Sequence, residues 1–418
     1  MSNAYPRTCP ALGPINTDSG ASLGSTNATM VTAQTGHSRE IFPRERRCIA
    51  LGEWRASFDS PRNRFIRSAL LHFGRATRFL SGAAFALTFA GCDSSPVDLP
   101  LMEVGGETMG TTYIVKVVSP PPALTEQRLG SMVATALSEV NQRLSNWISD
   151  SEVSRFNASA STMPVPISTD FLNVMTESFE IHRATGGRFD VTVAPLINLW
   201  GFGPRDENAP IPSQGAVNTA LEQVGMARHL SLDSKGLRKL RPDVSVNLSA
   251  IAKGYGVDRV AQALVLAGVE NYLVEIGGDL ATQGHNAAGA PWRVGIEKPQ
   301  AHGREIQLVV SVSGLGMATS GDYRNFVMHE GKRFSHIIDP VTGRPITHGL
   351  ASVTVLAETG TRADGWATAL LVMGDTAGLK VADSLGIAAY FIVRQDDGFV
   401  TMRSKAFDER LKSSADVQ

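Results

Sequence analysis

Between residues 103 and 410 the apolar pattern switches repeatedly between the two-residue period of a strand and the 3.6-residue period of a helix. It never settles into strict strand–helix–strand alternation, so a doubly wound parallel sheet is disfavoured. No GxGxxG opens a helix after a strand, and no internal repeat is present. The order predicts an α+β fold with mixed, largely antiparallel sheets flanked by helices.

Thr111 to Val118 alternates as a strand after Met109-Gly110, and Pro120-Pro121-Pro122 breaks it. From about Thr125, Leu129, Met132, Val133, Ala136, Val140 and Leu144 form the stripe of a helix that ends near Asn146-Trp147. A second helix is expected from Ser168 or Thr169 to Thr185, closed by Gly186-Gly187. A short β segment should follow Arg188-Phe189-Asp190, with loop over 205–216. A strand from Val244 to Leu248 should feed a helix running from Ser249 to about Ala267, ended by Gly268. Further strands are expected at Tyr272–Ile276, near 292–296 and 306–313, at 352–357 and at Ala388–Val393, with a helix beginning near Asp364.

The region upstream is of another kind. Residues 1–60 show no hydrophobic period and are rich in Ser, Thr, Asn, Gly, Pro and Arg; they are disordered by composition, or upstream sequence from a misplaced start. Arg62, Arg64, Arg67, Arg75 and Arg78 then precede an apolar run from Phe79 to Ala90-Gly91-Cys92. At about 14 residues that run is short of the ~20 a spanning helix needs. A positive flank, a short apolar stretch and small terminal residues make a secretory signal over 61–91. Ala90-Gly91-Cys92 resembles a bacterial lipobox, with Phe89 where Leu is usual, making Cys92 the lipid-modified residue. Asp93 resembles an inner-membrane retention signal. The expectation is an inner-membrane lipoprotein facing the periplasm, with linker over 92–102 and a tail over 411–418. An uncleaved signal anchor is the alternative, and it too leaves the body outside the cytoplasm.

Charge divides at the same place. Residues 1–91 hold 11 Arg, no Lys and 5 acids, whereas residues 92–418 hold 28 basic and 35 acidic residues. An acidic body argues against nucleic acid as a partner. The cysteines are Cys9, Cys48 and Cys92, so a thiolate metal site is excluded.

Several polar groups sit where chemistry is possible. Asp364 and Thr368, four apart at a helix start, put a carboxylate and a hydroxyl on one face, a hard-oxygen pair suited to Mg2+. The plain alternative is Asp364 as a helix cap. Asn247 to Gly256 forms a strand-to-helix junction where free N–H groups and Lys253 favour an anion, although no P-loop pattern is present. Gly316 to Tyr323 is a small, hydroxyl-rich turn. Trp147, Trp200 and Phe202 are either core or the walls of a flat-ring pocket. In Phe334–Pro345, Pro340 and Gly343 shape a tight turn after a short strand, and that strand carries His336 toward a cleft.

Taken in order, Met109-Gly110-Thr111, Gly187–Asp190, Leu199–Pro204, Ala250–Tyr255, Ile276–Asp279, Thr319–Tyr323, His336–Gly343 and Asp364–Thr368 resemble the ApbE family. The resemblance spans nearly all of 103–400. It implies a T-fold-related, two-lobed single catalytic unit that moves FMN from FAD onto a Ser or Thr hydroxyl of a target protein, with Mg2+, releasing AMP. By position it implies FAD contacts at Met109, Trp147, Arg188, Phe189, Asp190, Asn247, Lys253 and Ile338. It implies metal contacts at Ala250 (through its carbonyl), Asp364 and Thr368. Position 247 is often Asp in the family and is Asn here, Lys253 is Glu in some members, and Ala367 stands where some carry a further acid. His336 is the expected base for the acceptor hydroxyl, with Asp339 orienting the loop or the metal's waters. The implied acceptor carries a D-x-x-[ST]-G-A-[ST]-like site. Mg2+-dependent hydrolysis of FAD to FMN and AMP, and FAD binding without catalysis, are the competing readings.

Overall fold

The computed structural model describes residues 99–202, 211–300, 305–323, 326–329, 332–396 and 398–415. The signal, Cys92 and the expected boundaries at 60 and 91 lie outside the described residues.

The chain enters with a hairpin, β1 (Leu101–Thr108) and β2 (Thr111–Val118). Its two-residue turn is Met109-Gly110, both at positive φ (50° and 73°), as the twist of a tight hairpin requires. Next come α1 (Glu126–Leu144), α2 (Glu152–Ala158), α3 (Thr169–Ala184), α4 (Ala194–Leu199), α5 (Gln214–Leu221) and α6 (Met226–His229). The small hairpin β3 (Leu230–Asp233) and β4 (Gly236–Lys239) precedes α7 (Ala252–Leu266). Then follow β5 (Asn271–Ile276), β6 (Asp279–Gln283), β7 (Arg293–Glu297), β8 (Ile306–Ser311), β9 (Gly316–Gly321), β10 (Phe326–His329), β11 (Lys332–Ser335), β12 (Ile338–Asp339) and β13 (Arg344–Pro345). The chain closes with β14 (Leu350–Ala357), α8 (Gly360–Met373), α9 (Asp375–Leu385), β15 (Ala388–Gln395), β16 (Gly398–Arg403) and α10 (Lys405–Ala415).

Among the described residues, eight strands form one antiparallel sheet in the order β1-β2-β5-β6-β9-β14-β15-β16. The α+β expectation therefore holds. Alternation along the strands divides two cores. Val353, Val355, Ala389 and Phe391 face α3 and α8, while Leu356, Tyr390 and Ile392 face Trp292, Val310 and Phe407 on the other side. Val115, Val117 and Val274 pack on α1 and α7. The first four residues after the α8 cap aside, α8 is apolar on nearly every face, the pattern of a helix enclosed by protein.

The differences from sequence expectation have local causes. The segment after Asp190 is turn and helix rather than strand, because Pro195 sits in the first turn of α4, where its missing N–H is harmless. The expected 205–216 loop is overtaken by α5, which Ser213 caps; residues 203–210 lie outside the described residues. The 411 boundary falls inside α10.

Residues 244–248 are extended but belong to no ladder. Side-chain amides replace the neighbouring strand. Asn157 accepts from the Val246 N–H at 2.7 Å and donates to its carbonyl at 2.8 Å, while Asn146 donates to the same carbonyl and accepts from the Leu248 N–H. Lys239 in turn fixes Asn157: buried against the Phe156 ring, its ammonium donates to the carbonyls of Asn157 (2.9 Å) and Ser159 (2.7 Å). Burial lowers its pKa from the ordinary lysine value. Asn157→Ala orphans the fully buried Val246 N–H, whereas its carbonyl keeps Asn146. The expected loss is about 1–3 kcal/mol, read as a lower denaturation midpoint with unchanged slope in a urea titration.

Candidate active site

Two helices meet end to side at the centre of the unit. α7 and α8 cross so closely that a Cβ on Gly254 would lie 2.2 Å from the Gly360 carbonyl oxygen, and one on Gly360 would lie 2.8 Å from the Gly254 oxygen. Only glycine allows this approach. The N-terminus of α8 is closed twice. Thr359 accepts from the Arg362 N–H, and Asp258, reaching across from α7, accepts from the N–H groups of Gly360 (2.7 Å) and Thr361 (2.8 Å). Asp364 is therefore not the helix cap. It sits one turn further in, 3% exposed, and its Oδ2 accepts from the Gly254 N–H at 3.1 Å.

That contact revises the expectation for the α7 N-terminus. α7 begins at Ala252 rather than Ser249, and the anion its first turn holds is the chain's own Asp364. Lys253 lies between two carboxylates: it pairs closely with Asp279, which directly follows Gly277-Gly278, and its Nζ is 3.5 Å from Asp364 Oδ2. Burial opposes the Lys253 charge, but Asp279 and Asp364 outweigh it and hold its pKa above the ordinary range. Burial, and then the charge of Asp364, push Asp279 up to about 8 against the pull of Lys253. Near neutral pH Asp279 therefore mostly holds a proton, and Lys253 balances the charge of Asp364; a cation arriving beside Asp364 would draw that proton off and face the charge of both carboxylates.

The oxygen donors expected to bind metal do converge. Thr368 Oγ1 lies 3.5 Å from the Ala250 carbonyl oxygen and 2.9 Å from Ser320 Oγ, one turn of α8 beyond Asp364. A carboxylate, a hydroxyl and a carbonyl fit Mg2+ and not a soft metal. Among the described residues no three His, Cys, Asp or Glu side chains gather to hold a metal ion, so any Mg2+ at these donors would rest on one carboxylate with neutral oxygens.

These groups open onto a cleft of about 440 Å3. Arg188, Phe189, Asp190, Asn247, Ala250, Lys253, His336, Ile338, Asp364 and Thr368 all line it. Met109 and Trp147 do not: Met109 turns the first hairpin and lays its side chain on Gly256, and Trp147 is 74% exposed after α1. Asp190 lines the cleft, yet its carboxylate braces the loop. Oδ1 accepts from the Thr192 N–H (2.7 Å) and Oδ2 from the Met226 N–H (2.8 Å), with His182 3.5 Å away. Asn247 Oδ1 accepts from the Ser249 N–H at 3.0 Å.

The opposite wall is the 336–345 turn. Asp339 holds it by pairing with Arg188 and by accepting from the Val341 N–H (2.9 Å) and the Thr342 hydroxyl (3.1 Å). Trp200 is core beside Leu196 and Ile338, and its Nε1 donates to the Gly343 carbonyl at 2.8 Å. Phe202 meets the His336 ring edge-on, centroids 6.4 Å apart. Sequence reasoning assigned no role to Asp279 or Asp258, and took Ser320 only as part of a hydroxyl-rich turn open to a ligand, which is strand β9 up to Gly321. The Gly-Gly-Asp run after a strand was the signal for the first; Asp258 is recognisable only from the helix crossing, and the bond from Ser320 to Thr368 only from the approach of β9 to α8.

Fold and cleft together define an α+β enzyme with hard-oxygen donors, an ammonium and an imidazole on one cavity, the equipment of phosphoryl transfer. The model of the ApbE family matches residues 109–391, and the chain belongs to that family. It is 44% identical over 333 residues to the FAD:protein FMN transferase of Haemophilus influenzae, covering 78% of this chain and 94% of that one. Identity to the Vibrio cholerae protein of the same name is 43% over 329 residues, 79% and 97% of the two chains. The solved flavin transferase ApbE from Vibrio cholerae superposes with a TM-score of 0.70 at 42% identity, over 75% of this chain and all of that one.

The crossing makes a sharp comparison. Gly254→Ala has no room and should cost more than about 3 kcal/mol, with Asp364 pulled from its N–H. Gly130→Ala, on α1 with nothing within 4 Å of the new methyl, should be neutral or stabilising by up to about 1 kcal/mol. Denaturant titration of both variants checks this.

Proposed function

We propose that this chain is an FAD:protein FMN transferase that uses Mg2+ to move FMN from FAD onto a Ser or Thr hydroxyl of a protein acceptor and releases AMP. The observation that carries the reading is the convergence of Asp364, Thr368 and the Ala250 carbonyl beside Lys253 on the cleft that also holds His336. The names of the similar proteins supply the transfer of FMN from FAD to a protein.

In-line attack by the acceptor oxygen on the FMN phosphorus forms the new phosphoester. The bond to the bridging oxygen breaks, and AMP leaves with that oxygen. His336 takes the hydroxyl proton, since neutral imidazole is a base of suitable strength near pH 7. Lys253 neutralises pyrophosphate charge on one side, and Arg188 extends from the other wall. Phe189 and Ile338, both buried, give the flavin nucleotide an apolar wall. Bound Mg2+, held by Asp364, Thr368 and the Ala250 carbonyl, would offset the charge that develops on the phosphate oxygens. Thr368 is kept in orientation for that role by Ser320.

Acceptor recognition through a D-x-x-[ST]-G-A-[ST]-like segment is part of the same proposal, as is anchoring at the periplasmic face of the inner membrane through lipid on Cys92. Among the described residues no helix is long and apolar enough to cross a membrane. Cys92→Ala should move the protein from the membrane pellet to the soluble periplasmic fraction on fractionation.

Incubation with FAD, Mg2+ and an acceptor domain should yield acceptor heavier by one FMN in intact-mass analysis, together with AMP. Free FMN and AMP without acceptor modification would instead indicate hydrolysis, and unchanged FAD would leave binding alone. His336→Ala should slow transfer by about 10²–10⁴-fold while FAD is still bound. A near-normal rate in that variant would remove the base assignment.

A further inference from the structure

One buried carboxylate near the cleft has no part in the chemistry above. Asp322 is 3% exposed and follows directly on the Thr319-Ser320-Gly321 wall. It lies between two guanidinium groups from different parts of the chain. Arg333 of β11 donates to Oδ2 at 2.7 Å and also to the Asp322 carbonyl. Arg394 of β15 donates to Oδ1 at 2.5 Å and to Oδ2 at 3.2 Å. The Asp322 N–H is fixed as well, donating to the Ala351 carbonyl at 3.1 Å.

The geometry separates what each arginine belongs to. Arg394 is part of the main sheet, where its N–H donates to the Gly349 carbonyl. Arg333 belongs to the two-stranded β10–β11 hairpin, which makes a sheet of its own. That hairpin shows exposed Phe326 and Met328 to solvent, and its apolar packing includes the Arg333 guanidinium over the Phe326 ring at 4.4 Å. Three residues after Arg333 the chain reaches His336. The intervening Ser335 is buried, and its Oγ accepts from the Ile337 N–H at 3.1 Å.

We propose that Asp322 is a positioning residue for His336: it clasps the β10–β11 hairpin to the main sheet through Arg333 and Arg394, and so sets where the imidazole stands over the cleft. Charge-assisted bonds to a planar guanidinium are directional, so two of them on one carboxylate fix the hairpin's angle as well as its attachment. Both arginines reach the same Asp322 oxygen. Without the carboxylate, two like charges face each other and the hairpin loses its tie to the sheet, pivoting on the apolar anchor of β11, Phe334 against Trp200 with centroids 5.7 Å apart. Lys253 and Asp364 stand on α7 and α8, outside this linkage; Thr368 meets it only through Ser320, which the β9–β14 pairing holds, and Ile338 stays in its own core with Leu196, Trp200 and Val217, so the nucleotide side of the cleft keeps its shape. The clasp therefore governs the chemical step rather than nucleotide binding.

The inference rests on the reading of His336 as base, and its test keeps the two apart. Asp322→Asn and Arg333→Gln are each compared with the wild type in three measurements: FAD affinity, transfer rate at saturating acceptor, and amide hydrogen exchange. The expected result in both variants is FAD affinity within about threefold, a transfer rate at least tenfold lower, and exchange at least tenfold faster across 333–337 with α7 and α8 unchanged. Unchanged exchange across 333–337 would overturn the clasp whatever reaction the protein performs. Faster exchange with a normal transfer rate would overturn its link to His336, and FAD affinity lost in step with rate would do the same. Should Asp322→Asn fail to fold, Arg333→Gln, cut at the hairpin side only, supplies the comparison. A wild type that transfers nothing counts against the proposed function, and the exchange result still decides the clasp.

Discussion

Everything in the cleft depends on a carboxylate being buried where a helix begins. Asp364 is almost fully removed from water, a condition that would be strongly unfavourable for a lone charge. It is tolerated because the Gly254 N–H, the positive end of α7 and Lys253 all meet it. That meeting needs backbone-to-backbone contact between α7 and α8, hence glycine at 254 and 360. Asp258 then closes the α8 terminus from α7, so the same two helices cap, cross and neutralise each other. The oxygen donors of Ala250 and Thr368 follow from this crossing, one at the foot of α7 and one a turn further along α8.

The second wall is built by another device. The 336–345 turn has little regular structure of its own, only the two-residue strands β12 and β13. Side chains carry it instead: Arg188 and Asp339 across the cleft, Trp200 onto the Gly343 carbonyl, and Ile338 set into the small core of α4 and α5. Asp190 does the same for its own loop, tying it to Thr192 and Met226. Its two oxygens are already engaged within the chain, so this loop offers the cleft its shape more than its charge.

The long periodic helices and the exposed-to-buried alternation of the strands were legible, because α1, α3, β2 and β5 carry their pattern in their own residues. The α+β class followed from their order. What escaped depends on partners distant in sequence. The extended run 244–248 was read as a strand, since its alternation is real, but side chains of Asn146 and Asn157, roughly a hundred residues upstream, take the place of a neighbouring strand. Asp364 resembled a cap because caps are local, whereas Asp258 comes from another helix. Ten of the twelve residues expected at the site do line one cleft, and that grouping came from family resemblance. No spacing rule joins residues 188, 250, 336 and 364. Met109 and Trp147 fall outside the lining because one turns a hairpin and the other stands in solvent.

The two walls therefore differ in kind, and the difference bears on how binding and chemistry are divided. The groups proposed to meet phosphate and metal stand on α7 and α8 or just before α7, where packing, capping and glycine contact over-determine their positions, so their geometry is set without a ligand. The imidazole projects from a turn whose place is set by ion pairs reaching to loops and to the sheet, contacts that are stronger in a dry cleft than in an open one. On the proposed function, a nucleotide that excludes water from the cleft strengthens Arg188–Asp339, the pair that holds the turn following His336.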